Sequence, residues 1–306
     1  MTPLISICIP AYKNASYLEI LLKSVAAQSF KDYEVLVSDD SPDAEIELLC
    51  KKYAEAFPLQ YQKNAVPKGS PGNWNAGIKI AKGKWIKIMH DDDWFANENS
   101  LAVFARAATH NPEAGFIFSG YSNYEHGHLK KTTIPGPYVK KRLQDPLNLI
   151  AENYIGHPST TLIKNNLKEW YDERTRWIVD LEFYIRCLQA TSFYMIRESL
   201  INIGINDEQI TKATFRNRAV EIPENLYLLQ KMGVGILKNM IVYDHYWRLF
   251  RNLGIRSLEE LQQYAEGINV PDKLKKMLKM QFKIPLSLLR LGAFSKIAMG
   301  ISYYTD

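Results

Sequence analysis

The sequence predicts an α/β fold, a mostly parallel sheet with helices on both faces, followed by a helical C-terminal extension. Three observations lead there. Through residues 1–120, short apolar runs of strand length alternate with stretches whose apolar side chains recur every three to four positions, the order expected of successive βαβ units. Beyond residue 221 only helix-period patterns remain. A chain of 306 residues, 46% hydrophobic and 12% aromatic, can bury a large core and is too apolar to be disordered.

Each element has its own signal. Ile5 to Ile9 reads as a buried strand ending at Pro10, and Ser16 to Ser29 places Leu18, Leu21, Leu22 and Val25 at helical spacing, with Asn14 or Ser16 available as a cap. Glu34 to Ser38 is a second strand. Ala44 to Phe57 is a helix with Ile46, Leu49, Cys50 and Tyr53 on one face, and Leu59 to Gln62 is a short strand. Asn73 to Ala81 is a third helix, Trp85 to Met89 a strand, Asn99 to Thr109 a helix stopped by Asn111-Pro112, and Gly115 to Ser119 a further strand. The division expected is a larger domain over residues 1–220, in two parts (1–120 and 121–220), and a basic helical extension over 221–306. In the extension, 226–250 has an apolar and aromatic pattern suited to packed helices. Ser257 to Glu266 opens with a Ser257-x-x-Glu260 capping box.

The chemistry gathers where strands end. The run His90-Asp91-Asp92-Asp93-Trp94 follows the apolar segment 85–89, and Asp39-Asp40 closes the run from Tyr33 to Ser38. Carboxylates are hard ligands that suit Mg²⁺ or Mn²⁺ bound to a substrate's phosphates, and a solvated acidic turn is an equal reading of the Asp triplet alone, which the second acidic pair tips toward a site. In parallel sheets, ligands bind at the carboxyl ends of the strands, so the loops at Pro10-Ala11-Tyr12, Asp39-Asp40 and His90 to Asp93 should share one edge. No GxGxxG or GxxxxGK[ST] fingerprint follows the first strand, which argues against a dinucleotide oxidoreductase and a P-loop NTPase.

Taken together, Ile5 to Asn14 (ISICIPAYKN), Ser24 to Ser41 (SVAAQSFKDYEVLVSDDS), Gly72 to Ile78 (GNWNAGI), Ala81 to Ile86 (AKGKWI) and the HDDDW segment resemble the family 2 inverting glycosyltransferases of the GT-A fold, bacterial surface-polysaccharide type. The resemblance covers residues 1 to 215 and implies a Rossmann-like sheet, a nucleotide-sugar donor and a divalent cation, Mn²⁺ or Mg²⁺. It also implies the roles of individual residues. Pro10, Ala11 and Tyr12 would line the nucleobase pocket, Asp40 would accept a hydrogen bond from the base with Asp39 as its structural neighbour, and Asp91 would face the ribose or the metal. The triplet admits two registers, one beginning at His90 with Asp92 as principal metal ligand, the other running from Asp91 to Asp93, so Asp92 and Asp93 are the metal candidates and Asp91 a further one. His90 itself reads as a packing residue at a strand end in preference to a direct ligand.

Inversion needs a base for the acceptor hydroxyl, a task for a carboxylate. The segment Trp177 to Arg186 matches the family's base-bearing stretch and puts the base at Asp180. Val179 precedes it where an acid is commoner, so Glu182 is the reserve, and either carboxylate could instead serve a helix N-terminus. His157, within Gly156 to Thr161, would border the acceptor and donor sugar or mark a turn before Pro158. In the segment 203–211, Asn206 stands where the family usually has a histidine near the diphosphate. Arg216 and Arg218 follow, as leaving-group partners or as residues of a solvated loop.

The net charge of +5 is uneven: from Pro271 to Asp306, seven lysine and arginine residues face only Asp272 and Asp306. None of the usual nucleic-acid module signatures accompanies them, so nucleic acid is not an expected partner. Residues 274–298 mix Leu, Met, Phe and Ile with lysines, a composition suited either to an anionic membrane surface or to packing on the catalytic domain. Three widely spaced cysteines, Cys8, Cys50 and Cys187, read as buried thiols of a reducing compartment. The N-terminus lacks a signal-peptide pattern, which makes the cytoplasm, or the inner face of its membrane, the expected location. The activity expected is transfer of a sugar, most simply from a UDP-sugar, to a glycan or lipid-linked acceptor in polysaccharide synthesis, with a metal-dependent phosphohydrolase or a non-catalytic nucleotide-sugar binding module as alternatives.

Overall fold

The computed structural model describes residues 2–167, 170–206 and 214–305. Two compact units form, one from residues 1–146, 154–173 and 183–207, the other from 147–153, 174–182 and 208–306.

The first unit is built on a mixed sheet. In chain order its strands are β1 (Ile5–Ala11), β2 (Tyr33–Asp39), β3 (Leu59–Lys63), β4 (Trp85–Ile88), β5 (Asp93–Phe95), β6 (Ala114–Glu125), β7 (His128–Thr133), β8 (Thr161–Lys164) and β9 (Ser192–Ile205). They lie in the order β3-β2-β1-β4-β8-β6-β9-β5, with β7 paired to β6. The segment β3-β2-β1-β4 is parallel, as the alternating sequence pattern predicts. The helices between these strands are α1 (Ala15–Ala26), α2 (Glu45–Tyr53), α3 (Gly72–Ile80) and α4 (Ser100–His110). Ile5, Ile7 and Ile9 of β1 and Leu18, Leu21, Leu22 and Val25 of α1 are fully buried in one core. Each contributes roughly 1.5–3 kcal/mol as an upper estimate. The short α5 (Pro137–Arg142) also belongs to this unit.

The far half of the sheet mixes directions: β6 and β9 run parallel, and antiparallel pairs enter beside them. β8 runs antiparallel to both β4 and β6, and β5 runs antiparallel to β9, pairing Asp93 with Ile203. Asp93 is therefore the first residue of a buried strand rather than part of an open loop. The strand expected over 115–119 extends to Glu125 and turns into the hairpin strand β7.

α6 (Val179–Ala190) begins in the second unit and continues into the first. The remaining helices belong to the second unit: α7 (Arg218–Met232), α8 (Met240–Leu253), α9 (Leu258–Tyr264), α10 (Asp272–Phe282), α11 (Leu286–Leu289) and α12 (Gly292–Thr305). Their ends follow local chemistry. Asn239 Oδ1 accepts from the N–H groups of Ile241 and Val242 to start α8, and Gly254, at φ 68°, takes the left-handed conformation that closes it. Ser257 Oγ accepts from Glu260 N–H at 3.0 Å, the first half of the capping box, while Glu260 turns its carboxylate to Arg256 N–H and the Arg218 guanidinium. Tyr243, Tyr246, Trp247 and Phe250 of α8 are fully buried at the centre of this unit. Among the described residues, no helix is long and apolar enough to cross a membrane.

Candidate active site

Parallel register brings the acidic strand ends together. Ala11, the last residue of β1, pairs with Asp39, the last of β2, and Cys8 of β1 pairs with Ile88, the last of β4. The chain from Met89 to Asp92 therefore leaves the sheet beside Ala11 and Tyr12. Tyr12 N–H donates to Asp91 Oδ2 at 3.2 Å, and Asp40 N–H donates to Ala11 O at 3.0 Å. Pro10 and Ala11 are buried within β1, whereas Tyr12 is 51% exposed, with Lys13 Nζ 4.7 Å from its ring centroid.

Asp39 and Asp40 are both buried and both heavily engaged. Asp39 accepts from Ser41 N–H (2.7 Å), the Tyr61 hydroxyl (2.8 Å) and Lys63 Nζ (3.0 Å). Asp40 accepts from Asn64 Nδ2 (2.7 Å) and from the backbone N–H groups of Lys68 (2.9 Å) and Gly69 (2.8 Å). An ionised carboxylate offers about four acceptor positions, so Asp40 can fix the 64–69 loop and still accept one further donor.

Ligand atoms of His90, Asp92 and Asp93 all lie within 4.8 Å of one another. Asp91 stands outside this trio, its carboxylate turned to Tyr12. His90, read from the sequence as a packing residue, does both: its ring lies 4.6 Å from that of Trp74, and it offers a nitrogen to the cluster. Among the described residues, His90 Nε2 is buried with no hydrogen-bond partner. Burial lowers the His90 pKa to about 4, so the ring is neutral and able to coordinate. A cation would satisfy this orphaned nitrogen, so imidazole and two carboxylates fit a divalent metal.

The cluster is held from beneath. Asp92 Oδ2 accepts from Asn206 Nδ2 at 3.0 Å, so Asn206 reaches the site as a hydrogen-bond donor to a carboxylate. Asp207 to Thr211 of that segment lie outside the described residues. A Cβ at Gly204 would run into the Asp92 carbonyl oxygen, so only glycine lets β9 pass this closely. Burial and the neighbouring Asp92 charge push the Asp93 carboxyl well above its usual range, opposed by Ser159, Gly204 N–H and the Lys87 ammonium. Lys87, fully buried in β4, donates to Ser159 O and lies 4.8 Å over the Phe104 ring, and desolvation brings its pKa down to about 7. Ser159 Oγ accepts from His90 N–H at 2.9 Å, tying one turn to both ends of the cluster. Asp91 is raised to about 7 by burial and by Asp92. His157 stacks edge-on against Tyr121 at 5.3 Å. Burial lowers its pKa to about 4, with His90 lowering it further and Asp92 raising it.

Asp180 and Glu182 belong to the second unit, in the first turn of α6. Asn153 Nδ2 lies 3.4 Å from Asp180 Oδ2. Loss of hydration raises the Asp180 pKa to about 6 against the pull of the Asp180 and Leu181 backbone amides. Glu182 is fully buried and paired with Lys231 Nζ at 2.7 Å. Glu224, which the sequence did not single out, accepts the backbone N–H groups of Arg176 (2.9 Å), Trp177 (2.9 Å) and Ile178 (3.1 Å), fixing the chain that leads into Asp180. Of the two arginines weighed as leaving-group partners, Arg218 is committed to Glu260 at 2.7 Å and Leu253 O at 2.7 Å.

The family described as Glycosyl transferase family 2 matches residues 6–167, over half of the chain. The chain belongs to glycosyl transferase family 2. The chain is similar to an uncharacterized glycosyltransferase of Rickettsia prowazekii, 27% identical over 69% of this chain, and the match spans 66% of that relative's length, just under two thirds. A second relative is the Escherichia coli enzyme WfaP, named UDP-Glc:alpha-D-GlcNAc-diphosphoundecaprenol beta-1,3-glucosyltransferase, 30% identical over 40% of this chain and 46% of the relative. Two solved structures share the GT-A fold. S. aureus TarS in complex with UDP-GlcNAc superposes with a TM-score of 0.68 at 17% identity, covering 98% of this chain and 91% of that one. Mannosyltransferase PcManGT from Pyrobaculum calidifontis, in complex with GDP-Man and Mn²⁺, gives 0.59 at 13% identity, covering 100% and 87%.

Proposed function

We propose that this glycosyltransferase transfers a sugar, with inversion, from a UDP-sugar to a glycan or lipid-linked acceptor in polysaccharide assembly, assisted by Mn²⁺ or Mg²⁺. The observation that carries the reading is the His90, Asp92 and Asp93 cluster on the sheet edge that also bears Asp39 and Asp40. WfaP supports the donor and acceptor classes, and the Mn²⁺ bound with GDP-Man by PcManGT supports the cation. A donor set with one imidazole nitrogen favours Mn²⁺ over Mg²⁺, which prefers oxygen.

In this reading Pro10, Ala11 and Tyr12 border the nucleobase, Asp40 accepts a hydrogen bond from it, Asp91 turns toward the ribose, and His157 borders the sugar. His90, Asp92 and Asp93 would hold the cation, which when bound supplies positive charge against the nucleotide diphosphate as it leaves. Asp180 takes the proton of the acceptor hydroxyl. That oxygen bonds to the anomeric carbon on the face opposite the donor oxygen, and the breaking bond's electron pair leaves with the diphosphate. The ion pair between Glu182 and Lys231 favours Asp180 over Glu182 as base. A UDP-sugar turnover assay with Mn²⁺ tests the proposal: UDP should be released only when an acceptor glycan or polyprenyl-diphosphate sugar is present. Acceptor-independent release of UMP and sugar phosphate would mean a phosphohydrolase instead.

A further inference from the structure

The basic C-terminal segment divides into an inward and an outward part. In α10, Leu274, Met277 and Leu278 are buried, so this helix spends its apolar face on the unit's own core. In α12 the inner face is small and polar: Ser295 Oγ accepts from Trp247 Nε1 and Arg251 Nη1, Ser302 hydrogen-bonds the Tyr243 hydroxyl, and Ala298 and Met299 fill between them. Four large apolar side chains of α12 point the other way. Phe294, Ile297, Ile301 and Tyr304 recur at intervals of three, four and three residues, one face of a helix, and are 41%, 65%, 52% and 78% exposed. Leu291, 57% exposed, extends the stripe by one step.

We propose that this outer face of α12 is a docking surface for an anionic lipid bilayer, on which the helix lies parallel to the membrane plane. Charge selects this occupant. Between positions 273 and 305 there are seven lysine and arginine residues and no aspartate or glutamate. Arg290, just before the helix, and Lys296, beside the stripe, are both exposed, and Lys273 Nζ, 5.5 Å from the Tyr303 ring, places a cation near its Tyr304 end. Such a surface meets the negative potential of acidic lipid headgroups, while a second copy of this chain would bring like charges face to face. The helix lies on the bilayer rather than spanning it, because its 14 residues reach about 21 Å against an apolar thickness of about 30 Å. The inference goes beyond the proposed transfer reaction and does not depend on the assignment of donor, metal or base.

The test is flotation of the full-length chain with phosphatidylglycerol or phosphatidylcholine vesicles. The wild type should float with phosphatidylglycerol, much less with phosphatidylcholine, and its binding should fall as salt is raised. The combined variant Phe294→Ser, Ile297→Ser, Ile301→Ser changes only exposed side chains. It should weaken vesicle binding about tenfold or more and leave the melting temperature and Mn²⁺-dependent UDP binding unchanged. The pair Arg290→Glu, Lys296→Glu should remove the preference for phosphatidylglycerol. Wild-type protein that binds neither vesicle, or binds both equally, overturns the proposal. So does a serine variant that floats like wild type or only dissolves a wild-type oligomer in sedimentation.

Discussion

At position 180, a carboxylate that has lost much of its hydration titrates near pH 6. A general base works in its ionised form, so the sign is fixed: transfer should be full above that pH and fall about tenfold per unit below it. Asp180→Asn should lower transfer by roughly 10²–10⁴-fold, leave metal-dependent nucleotide binding intact and erase the acidic limb of the pH–rate profile. An unchanged profile in the variant would pass the role to another group. The acidic residues 39–40 and 91–93 stood out in the sequence because each closes an apolar run, whereas Asp180 came only from the resemblance to the family. Lys87 and Glu224 were not. Each spends its charge on backbone groups distant in the sequence, Lys87 on Ser159 O and Glu224 on the amides of residues 176–178, and a single side chain in a strand or helix pattern carries no sign of such a partner.

Among elements, the parallel half of the sheet could be read directly, since β1, β2 and β4 are short apolar runs separated by helical periodicity. The mixed half was hidden. β5 is three residues long and starts with Asp93, which looks like loop chemistry until β9 pairs with it. β6 continues past its apolar stretch into the more polar Tyr121 to Glu125, where ladder pairing with β7 on one side and β9 on the other holds the strand. The start of α6 is a further case of tertiary control: three successive amides before Asp180 converge on the Glu224 carboxylate. Glu224→Gln replaces one of its two oxygens with a donor group facing those amides. Stability should fall by about 1–3 kcal/mol, read as a lower urea midpoint, with transfer reduced and nucleotide binding retained. A wild-type midpoint and rate would mean that water serves those amides equally well.

For the molecule as a whole, the sequence placed a boundary at residue 220, and the structure assigns two earlier segments, 147–153 and 174–182, to the unit that contains residues 221–306. The second of these segments carries Asp180. Short stretches joining a unit far away in sequence leave no compositional mark, since their burial depends on partners such as Glu224 and Asn239 rather than on their own pattern. The first unit holds the cation candidates and the acidic strand ends, and there the proposed function makes its most direct demand: nucleotide binding must depend on the cation, and the cation on Asp92. Calorimetric titration of UDP into the wild-type protein and into Asp92→Asn, each with and without Mn²⁺, measures this. The account predicts binding by the wild type only when Mn²⁺ is present, and its loss in the variant. Equal binding with and without Mn²⁺, or an Asp92→Asn variant that binds like the wild type, would contradict it.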